Sequence, residues 1–595
     1  MRMALFLLVV AACSSESPTI ALFSKTGDDF YALPFPNDLR READGTIDLS
    51  EFPTNAPLVD TYRMAADQLD GFGMNSPVFA RFSDALDPTT LPTPAASMAD
   101  GASVYLVDPA TGAKTPIIAT FRAEGTQTIG VNTLIARPYP GFGLMDATTY
   151  ALVITTAVRD QYGSPIATTD EFQRTLANAE EYTALAAYLD GNAIARSTIA
   201  SAAVFTTQRA TRILPAIRDA IMAIAAPVGT DIVPVGGSTG LVEYTGSYVA
   251  PNFQRGTVPY HDAGDIVVGA DGKAVIQRME TLRFSIAIPE GTMPATGWPV
   301  AIYSHGTGGG WESYLSDGTG SRLAQQGIAT ISMDQVLHGP RNPGGDPEID
   351  FFNYSNPLAA RDNALQGAAD AFSQHRLVEN LVVDGATFDA SKVYFFGHSQ
   401  GGVTGAGYVA FEPNLGGAVL SGTAGNLTLA LLGKTEPANI PDLVTTLVRD
   451  KPIDENNPSL ALVQMWMERA DPINYAPLMV RSPVAGPRNV FQTEGFPDHY
   501  TPNPAIEAFA TALGADIANN PDHKDIEGIM LRGKQVLQTP ITNNAGSVTC
   551  VLAQFNQATS SDGHFVVFEV PLAETQAAQF LGTLARTGSA TVVSM

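Results

Sequence analysis

Two hydrophobic patterns divide the chain. From about Phe30 to Phe172, apolar residues come in short alternating runs broken by Pro, Gly and Thr. Ala102 to Val107, followed by Asp108-Pro109-Ala110-Thr111-Gly112, predicts a strand and a turn; Thr148 to Thr155, closed by Asp160-Gln161-Tyr162-Gly163, predicts another. Short strands with frequent turns favour an immunoglobulin-like β-sandwich over residues 30–174. From Thr175 to about Ala226, Tyr182, Leu185, Leu189, Ile194 and Ile199 recur at mixed three-to-five spacing in an Ala-rich background, which predicts one or two packed helices. Pro227 to about Phe284 returns to short strand-like pieces, so 175–283 reads as a helical and β connector. After Phe284 the apolar runs Val300–Ser304, Ile328–Met333, Val393–Phe396, Gly417–Ser421 and Asn489–Thr493 alternate with helix-length segments such as Arg361 to Leu381. Buried strands alternating with helices predict an α/β unit over 284–595, a mostly parallel sheet covered on both faces.

The amino terminus reads differently. Met1-Arg2-Met3 precedes an apolar run from Ala4 to Ala12, about half of the roughly 20 residues a membrane span needs, which suits an export signal. Val10-Ala11-Ala12-Cys13 resembles a bacterial lipobox, which implies a signal peptide over 1–12, a lipid on Cys13 and a membrane held through that anchor. An ordinary secretory signal ending near a cysteine is the alternative. Residues 13–29 then form a flexible tether, and Ser14 after the cysteine implies, by the lipoprotein sorting rule, delivery to the outer membrane. With Cys13 acylated, Cys550 has no disulfide partner.

Composition narrows the partners. The 595 residues carry 60 acids against 34 bases, a net charge of -26. Phosphate backbones and anionic lipid surfaces are repelled by such a chain, so no nucleic-acid partner is expected, and neutral or zwitterionic esters suit it better than anionic ones. There is no His-Glu-x-x-His and no cysteine cluster, so no metal or organic cofactor is implied. Asp44-Gly45 followed by Glu51 matches half of a calcium loop, but Arg40 would fill the first ligand position, so this is a turn. Composition is silent on oligomeric state.

Chemistry concentrates at Val393-Tyr394-Phe395-Phe396-Gly397-His398-Ser399-Gln400-Gly401-Gly402. A Gly-x-Ser-x-Gly between an apolar strand and a small-residue helix start is a nucleophile elbow, exposing the Ser399 hydroxyl on a strained turn with a helix N-terminus behind it. Upstream, the strand Val300–Ser304 leads into His305-Gly306-Thr307-Gly308-Gly309-Gly310. Acyl transfer needs two preorganised N–H donors, and Gln400 N–H with Thr307 N–H, or Gly308 as its rival, would supply them. A phosphate loop is the competing reading, and it lacks the Gly-Lys-Ser/Thr ending. Behind such an elbow the chain order is nucleophile, acid, histidine, which leaves His499, His523 and His564 as the base. His564, in the loop after the predicted last strand, fits; His523 lies in polar text and His499 abuts the acid. Asp498 is the acid that fits the loop after Asn489–Thr493, with Glu494 and Asp471 as rivals. Met333 to Pro340 either lines the pocket mouth or is a turn with an Asp–His contact. Residues 425–488, with Leu427, Leu431, Leu432, Leu462, Met465, Trp466 and Met467, are either a cap over the substrate or a packed helical excursion.

Over Phe284 to Met595 these motifs resemble the α/β-hydrolase superfamily, esterase and lipase branch. The front half resembles bacterial extracellular virulence-factor lipases, including surface lipoproteins, through Pro34-Phe35-Pro36-Asn37-Asp38-Leu39, Asp44-Gly45-Thr46, Leu69-Asp70-Gly71-Phe72 and Ala470-Asp471-Pro472-Ile473-Asn474-Tyr475. The resemblance implies a lipid-anchored serine hydrolase of the cell envelope that cleaves carboxylic esters, lipid esters among them. A peptidase or polyester hydrolase on the same triad, or a non-catalytic surface adhesin, remains open at this level.

Overall fold

The computed structural model describes residues 18–559 and 561–594. Cys13 and the segment expected to be an export signal lie outside the described residues. The segment expected as a tether is packed from Thr19 on: Ile20 bridges Ala167, Ala21 bridges Phe82, and Phe23 sits edge-on against Phe172 and Tyr182.

The front part holds seven strands, β1 (Val78–Arg81), β2 (Val104–Val107), β3 (Lys114–Thr115), β4 (Ile117–Arg122), β5 (Thr133–Pro138), β6 (Thr149–Thr155) and β7 (Ile199–Thr206). They form a three-stranded sheet, β1-β5-β4, and a four-stranded one, β3-β2-β6-β7. The two share one core, in which Val104, Leu106, Leu152 and Phe205 meet Phe79, Leu134 and Ile135. The immunoglobulin-like sandwich is not confirmed. The outer face of the larger sheet, with Tyr105, Val153 and Val204, is covered by helices Asp170–Asn178 and Thr183–Gly191 through Phe172, Leu176, Leu185 and Leu189. An immunoglobulin sheet leaves that face to solvent. Of the residues that predicted one or two packed helices, Leu185 and Leu189 lie on helix Thr183–Gly191, whereas Ile199 and the alanines after it form the last strand of this sheet: Ala200 and Ala203 face one core, Ala202 the other. Small side chains there let strand and helices approach.

Behind it, eleven strands among the described residues form one sheet. They are β8 (Thr230–Ser238), β9 (Leu241–Asn252), β10 (Arg278–Pro289), β11 (Trp298–Ser304), β12 (Ala329–Met333), β13 (Phe388–His398), β14 (Leu415–Ser421), β15 (Asn489–Phe496), β16 (Asp516–Ala518), β17 (Val536–Leu537) and β19 (Cys550–Asn556). A short β18 (Ile541–Thr542) pairs instead with β20 (Thr591–Val592). The order is β17-β16-β19-β15-β14-β13-β11-β12-β10-β9-β8, parallel from β17 to β12 and antiparallel beyond. β8 to β10 therefore extend this sheet rather than merely link the halves. The strands are apolar on both sides because helix Pro357–Val378 packs on one face and helix Pro571–Thr587 on the other.

Residues 425–488 carry helices Leu427–Gly433, Ile440–Val448 and Pro458–Met467. Every residue of the third is buried, wedged between the front core and helix Pro357–Val378, where Trp466 Nε1 donates to the Pro357 carbonyl at 2.7 Å. Polar contacts pin it to the front part. Glu468 accepts from Met74 N, Asn75 N, Asn75 Nδ2 and Asn474 Nδ2 at 2.6 to 3.0 Å, and Asp450 accepts from Gln127 N, Thr126 Oγ1 and Thr128 Oγ1. Burial pushes the Glu468 carboxyl up to about 7.

Candidate active site

The loops after β11, β13, β15 and β19 meet at the carboxyl edge of the parallel strands, where open α/β sheets place their ligands. β13 ends at His398 and helix Gln400–Phe411 begins at Gln400, so the whole turn falls on Ser399, at φ +53° and ψ −122°. That backbone is strained for a residue with a side chain. The neighbours allow it because they have none: a Cβ on Gly401 would lie 2.0 Å from the Ser304 carbonyl oxygen of β11. Ser399 N donates to the Ser421 carbonyl at 2.8 Å, and the Ser399 side chain lines a cavity that His564 and Thr307 also line.

His564 belongs to the one-turn helix Gly563–Phe565, capped by Asp562, whose Oδ1 accepts from His564 N at 3.0 Å. Its Nδ1 bonds Asp498 Oδ2 at 2.9 Å, with both side chains buried. The other Asp498 oxygen, Oδ1, accepts from Tyr500 N at 3.0 Å and Thr501 N at 2.7 Å, which fixes the carboxylate plane. The imidazole is stacked on Tyr500 at 5.1 Å and flanked by His398 at 4.7 Å. Gly422 makes room for it, since a Cβ there would come within 2.8 Å of His564 Cε1. With Nδ1 committed to Asp498, Nε2 is the nitrogen left for the cavity.

The loop after β11 is held by two neutral imidazoles. Burial pushes His305 down to about 4 and lowers His338 as well. Each donates from Nδ1 to a carbonyl, His305 to Gly306 at 2.8 Å and His338 to Val336 at 2.9 Å. Each then accepts a backbone N–H at Nε2, from Gln335 and Gly308 respectively, both at 3.1 Å. Gly308 N is thereby spent. Thr307 N and Gln400 N, by contrast, have no protein acceptor among the described residues. Gln335 ties the two loops together: its Nε2 donates to the His305 carbonyl, and its Oε1 accepts from Thr404 Oγ1 at 3.0 Å. Across the gap, Thr307 Oγ1 donates to Gln400 Oε1 at 2.8 Å.

The structure places Ser399, His564, Asp498, Thr307 and Gln400 around one site. The rivals do other things. Glu494 lies behind the site, where burial pushes its carboxyl up to about 8 and its Oε1 accepts from Asn503 Nδ2 at 2.8 Å; Asn503 Oδ1 in turn accepts from Asp498 N. Asp471 accepts from Asn426 N, Leu427 N, Ile473 N and Gln464 Nε2, locking the start of the inserted segment. His499 pairs with Asp562 at 2.6 Å, and His523 Nδ1 bonds the Asn520 carbonyl. Asp334 ion-pairs with Arg283 and does not bond His338, so the expected Asp–His turn is not formed. Sequence reasoning named the segment Met333 to Pro340 but not what Gln335 and His338 do in it, and it missed Asp562 and Asn503. A residue two before His564 that can cap its turn was the available signal for Asp562.

No family model matches the chain, and no curated protein matches it. Among solved structures it is similar to an acetyl xylan esterase from Paenibacillus sp. R4, at 14% identity and TM-score 0.36 over 55% of this chain and 87% of that one. It is also similar to a glucuronoyl esterase from Teredinibacter turnerae T7901, at 14% identity and TM-score 0.34 over 61% and 78%. A third, a peroxisomal alpha-beta-hydrolase from Saccharomyces cerevisiae, shares 14% identity at TM-score 0.32 over 58% and 91%. The α/β assignment rests on the sheet itself.

Proposed function

We propose that the chain is a serine hydrolase of carboxylic esters. One observation carries the reading: a serine on a strained strand-to-helix turn shares a cavity with a buried histidine whose far nitrogen is bonded to a buried aspartate. In the proposed reaction Ser399 Oγ attacks the ester carbonyl while His564 Nε2 takes its proton. The tetrahedral oxyanion accepts from Thr307 N and Gln400 N, each worth roughly 10²–10³ in rate. As the carbon–oxygen bond to the alcohol breaks, His564 returns the proton to the leaving oxygen, and the acyl group stays on Ser399. Water, deprotonated by His564, then attacks the acyl carbon, and as the bond to Ser399 breaks His564 returns that proton to Ser399 Oγ, releasing the acid and the free enzyme. Asp498 holds the tautomer that allows each transfer and stabilises the imidazolium.

Export and lipid anchoring at Cys13 belong to the proposal on the strength of the sequence Val10 to Cys13. The resemblance to surface lipases adds lipid esters as a substrate class. Turnover of short p-nitrophenyl esters tests the reading: the wild type cleaves them, and Ser399→Ala folds normally and does not. Undiminished activity in that variant overturns the assignment.

A further inference from the structure

Ser399 opens onto two unlike cavities, and which substrate half enters each follows from the chemistry. The first has a volume of about 140 Å³ and is walled by Phe351, Phe352, Tyr354, Leu431, Ile440 and Met467. The second, of about 280 Å³, includes His564 and is the more polar of the two, setting Ser316, Asp317, Glu348 and Lys434 beside Tyr303 and Phe568. Thr307, Ser399, Lys434 and Tyr500 line both. Because His564 must hand a proton to the leaving oxygen, the alcohol lies on the side His564 lines. The acyl group then lies in the apolar cavity, which Gln400 lines and His564 does not.

We propose that these cavities select short-acyl esters of hydroxylated alcohols: an acyl group of a few carbons in the apolar cavity, and a polyol or sugar in the polar one. This rests on the ester-hydrolase reading above. Size limits the acyl side, because an apolar cavity of about 150 Å³ takes a guest the size of benzene, about six carbons. Phe351, Phe352 and Tyr354 come from the segment before helix Pro357–Val378, and Leu431, Ile440 and Met467 from the inserted helices. Those helices are pinned to the front part, so the wall does not open freely to a long chain.

Polarity defines the alcohol side. The Glu348 carboxylate has no hydrogen-bond partner among the described residues, and the Lys434 ammonium has one, the Tyr500 carbonyl at 3.2 Å, with the Tyr500 ring 5.5 Å away. The two do not pair with each other within 4.0 Å. A carboxylate without a hydrogen-bond partner and an ammonium with donors to spare, facing one cleft, suit neutral hydroxyls, which donate to one and accept from the other. A charged alcohol is attracted by one of them and repelled by the other, and an alkyl alcohol would leave the Glu348 carboxylate unpaired.

Two substrate series test the proposal. With p-nitrophenol as the common leaving group, kcat/KM is expected to peak between acetyl and hexanoyl and to fall about tenfold or more by dodecanoyl, a lost methylene fit being worth at least that much. Met467→Ala and, as a second variant, Leu431→Ala should move the peak to longer chains. With acetate as the common acyl group, glyceryl and sugar acetates should exceed butyl acetate by about tenfold, the worth of one hydrogen bond. Glu348→Gln and Lys434→Met should each reduce that ratio. A profile flat or rising to dodecanoyl in the wild type overturns the acyl assignment, and a ratio near one overturns the alcohol assignment. Absence of all ester turnover in a folded wild type would instead sink the underlying reading.

Discussion

Replacing Asp498 with Asn tests the triad through a single proton. The Asp498 Oδ1 atom accepts from Tyr500 N and Thr501 N, and only an oxygen can do that. The asparagine carbonyl must therefore take the Oδ1 position, which turns the amide NH2 toward His564 Nδ1, now 2.9 Å from Oδ2. Facing a donor, Nδ1 has to present its lone pair, and the ring proton moves to Nε2. A histidine protonated at Nε2 cannot accept the Ser399 proton. The same substitution in a serine-protease triad costs about 10⁴ in kcat, which at about 1.36 kcal/mol per decade is roughly 5 kcal/mol of transition-state stabilisation. Because both backbone donors keep their acceptor, the melting temperature should shift by no more than about 4 °C. The assay is kcat on a p-nitrophenyl ester beside a thermal melt, with Glu494→Gln as comparison. Glu494 touches Asn503 and Gln554 rather than His564, so its loss should cost less than about tenfold. Activity of Asp498→Asn within tenfold of wild type, or a larger loss in Glu494→Gln, would refute the assignment of the acid.

His338→Leu removes the acceptor of Gly308 N and frees the loop carrying Thr307; we expect kcat to fall by about 10- to 100-fold with KM little changed, and an equal loss in KM would point to a binding role instead. Burial also sets a pH dependence of stability. Glu468 and Glu494 are pushed up to about 7 and about 8, whereas unfolded glutamates ionise near about 4.3, so the folded state binds the extra protons. Stability should therefore decline as pH rises from about 4.5 to about 8, above which both states have lost these protons, by a few kcal/mol. Denaturant melts at several pH values check this, and the decline should flatten in Glu494→Gln; a rise across the window would contradict it.

The chemistry was legible because each part sits in a local pattern. Gly397-His398-Ser399-Gln400-Gly401 needs its small residues wherever a strand turns into a helix so sharply, and chain order together with position after the predicted strands then favoured His564 and Asp498. What supports them was not legible. Gln335 Nε2 donates to the His305 carbonyl and His338 Nε2 accepts from Gly308 N, each 30 residues away, and no spacing rule anticipates a side chain whose partner is a main-chain atom in another loop. The front part was misread for a related reason. Ala200, Ala202 and Ala203 carry a helix-favouring composition, yet the sheet partners of Ile199–Thr206 overrule it, because local propensity yields to burial on two faces. The inserted segment 425–488 left cap and packed excursion balanced; its place depends on Glu468 meeting Asn75, residues nearly 400 positions apart.

The central claim is that Ser399 is an activated nucleophile, and covalent trapping reads it directly. Incubating the folded protein with a fluorophosphonate and mapping the adduct by peptide mass spectrometry should give one modification per chain, on Ser399, absent after heat denaturation and slowed in Asp498→Asn. No adduct on the folded protein, or one on a different serine, would contradict it.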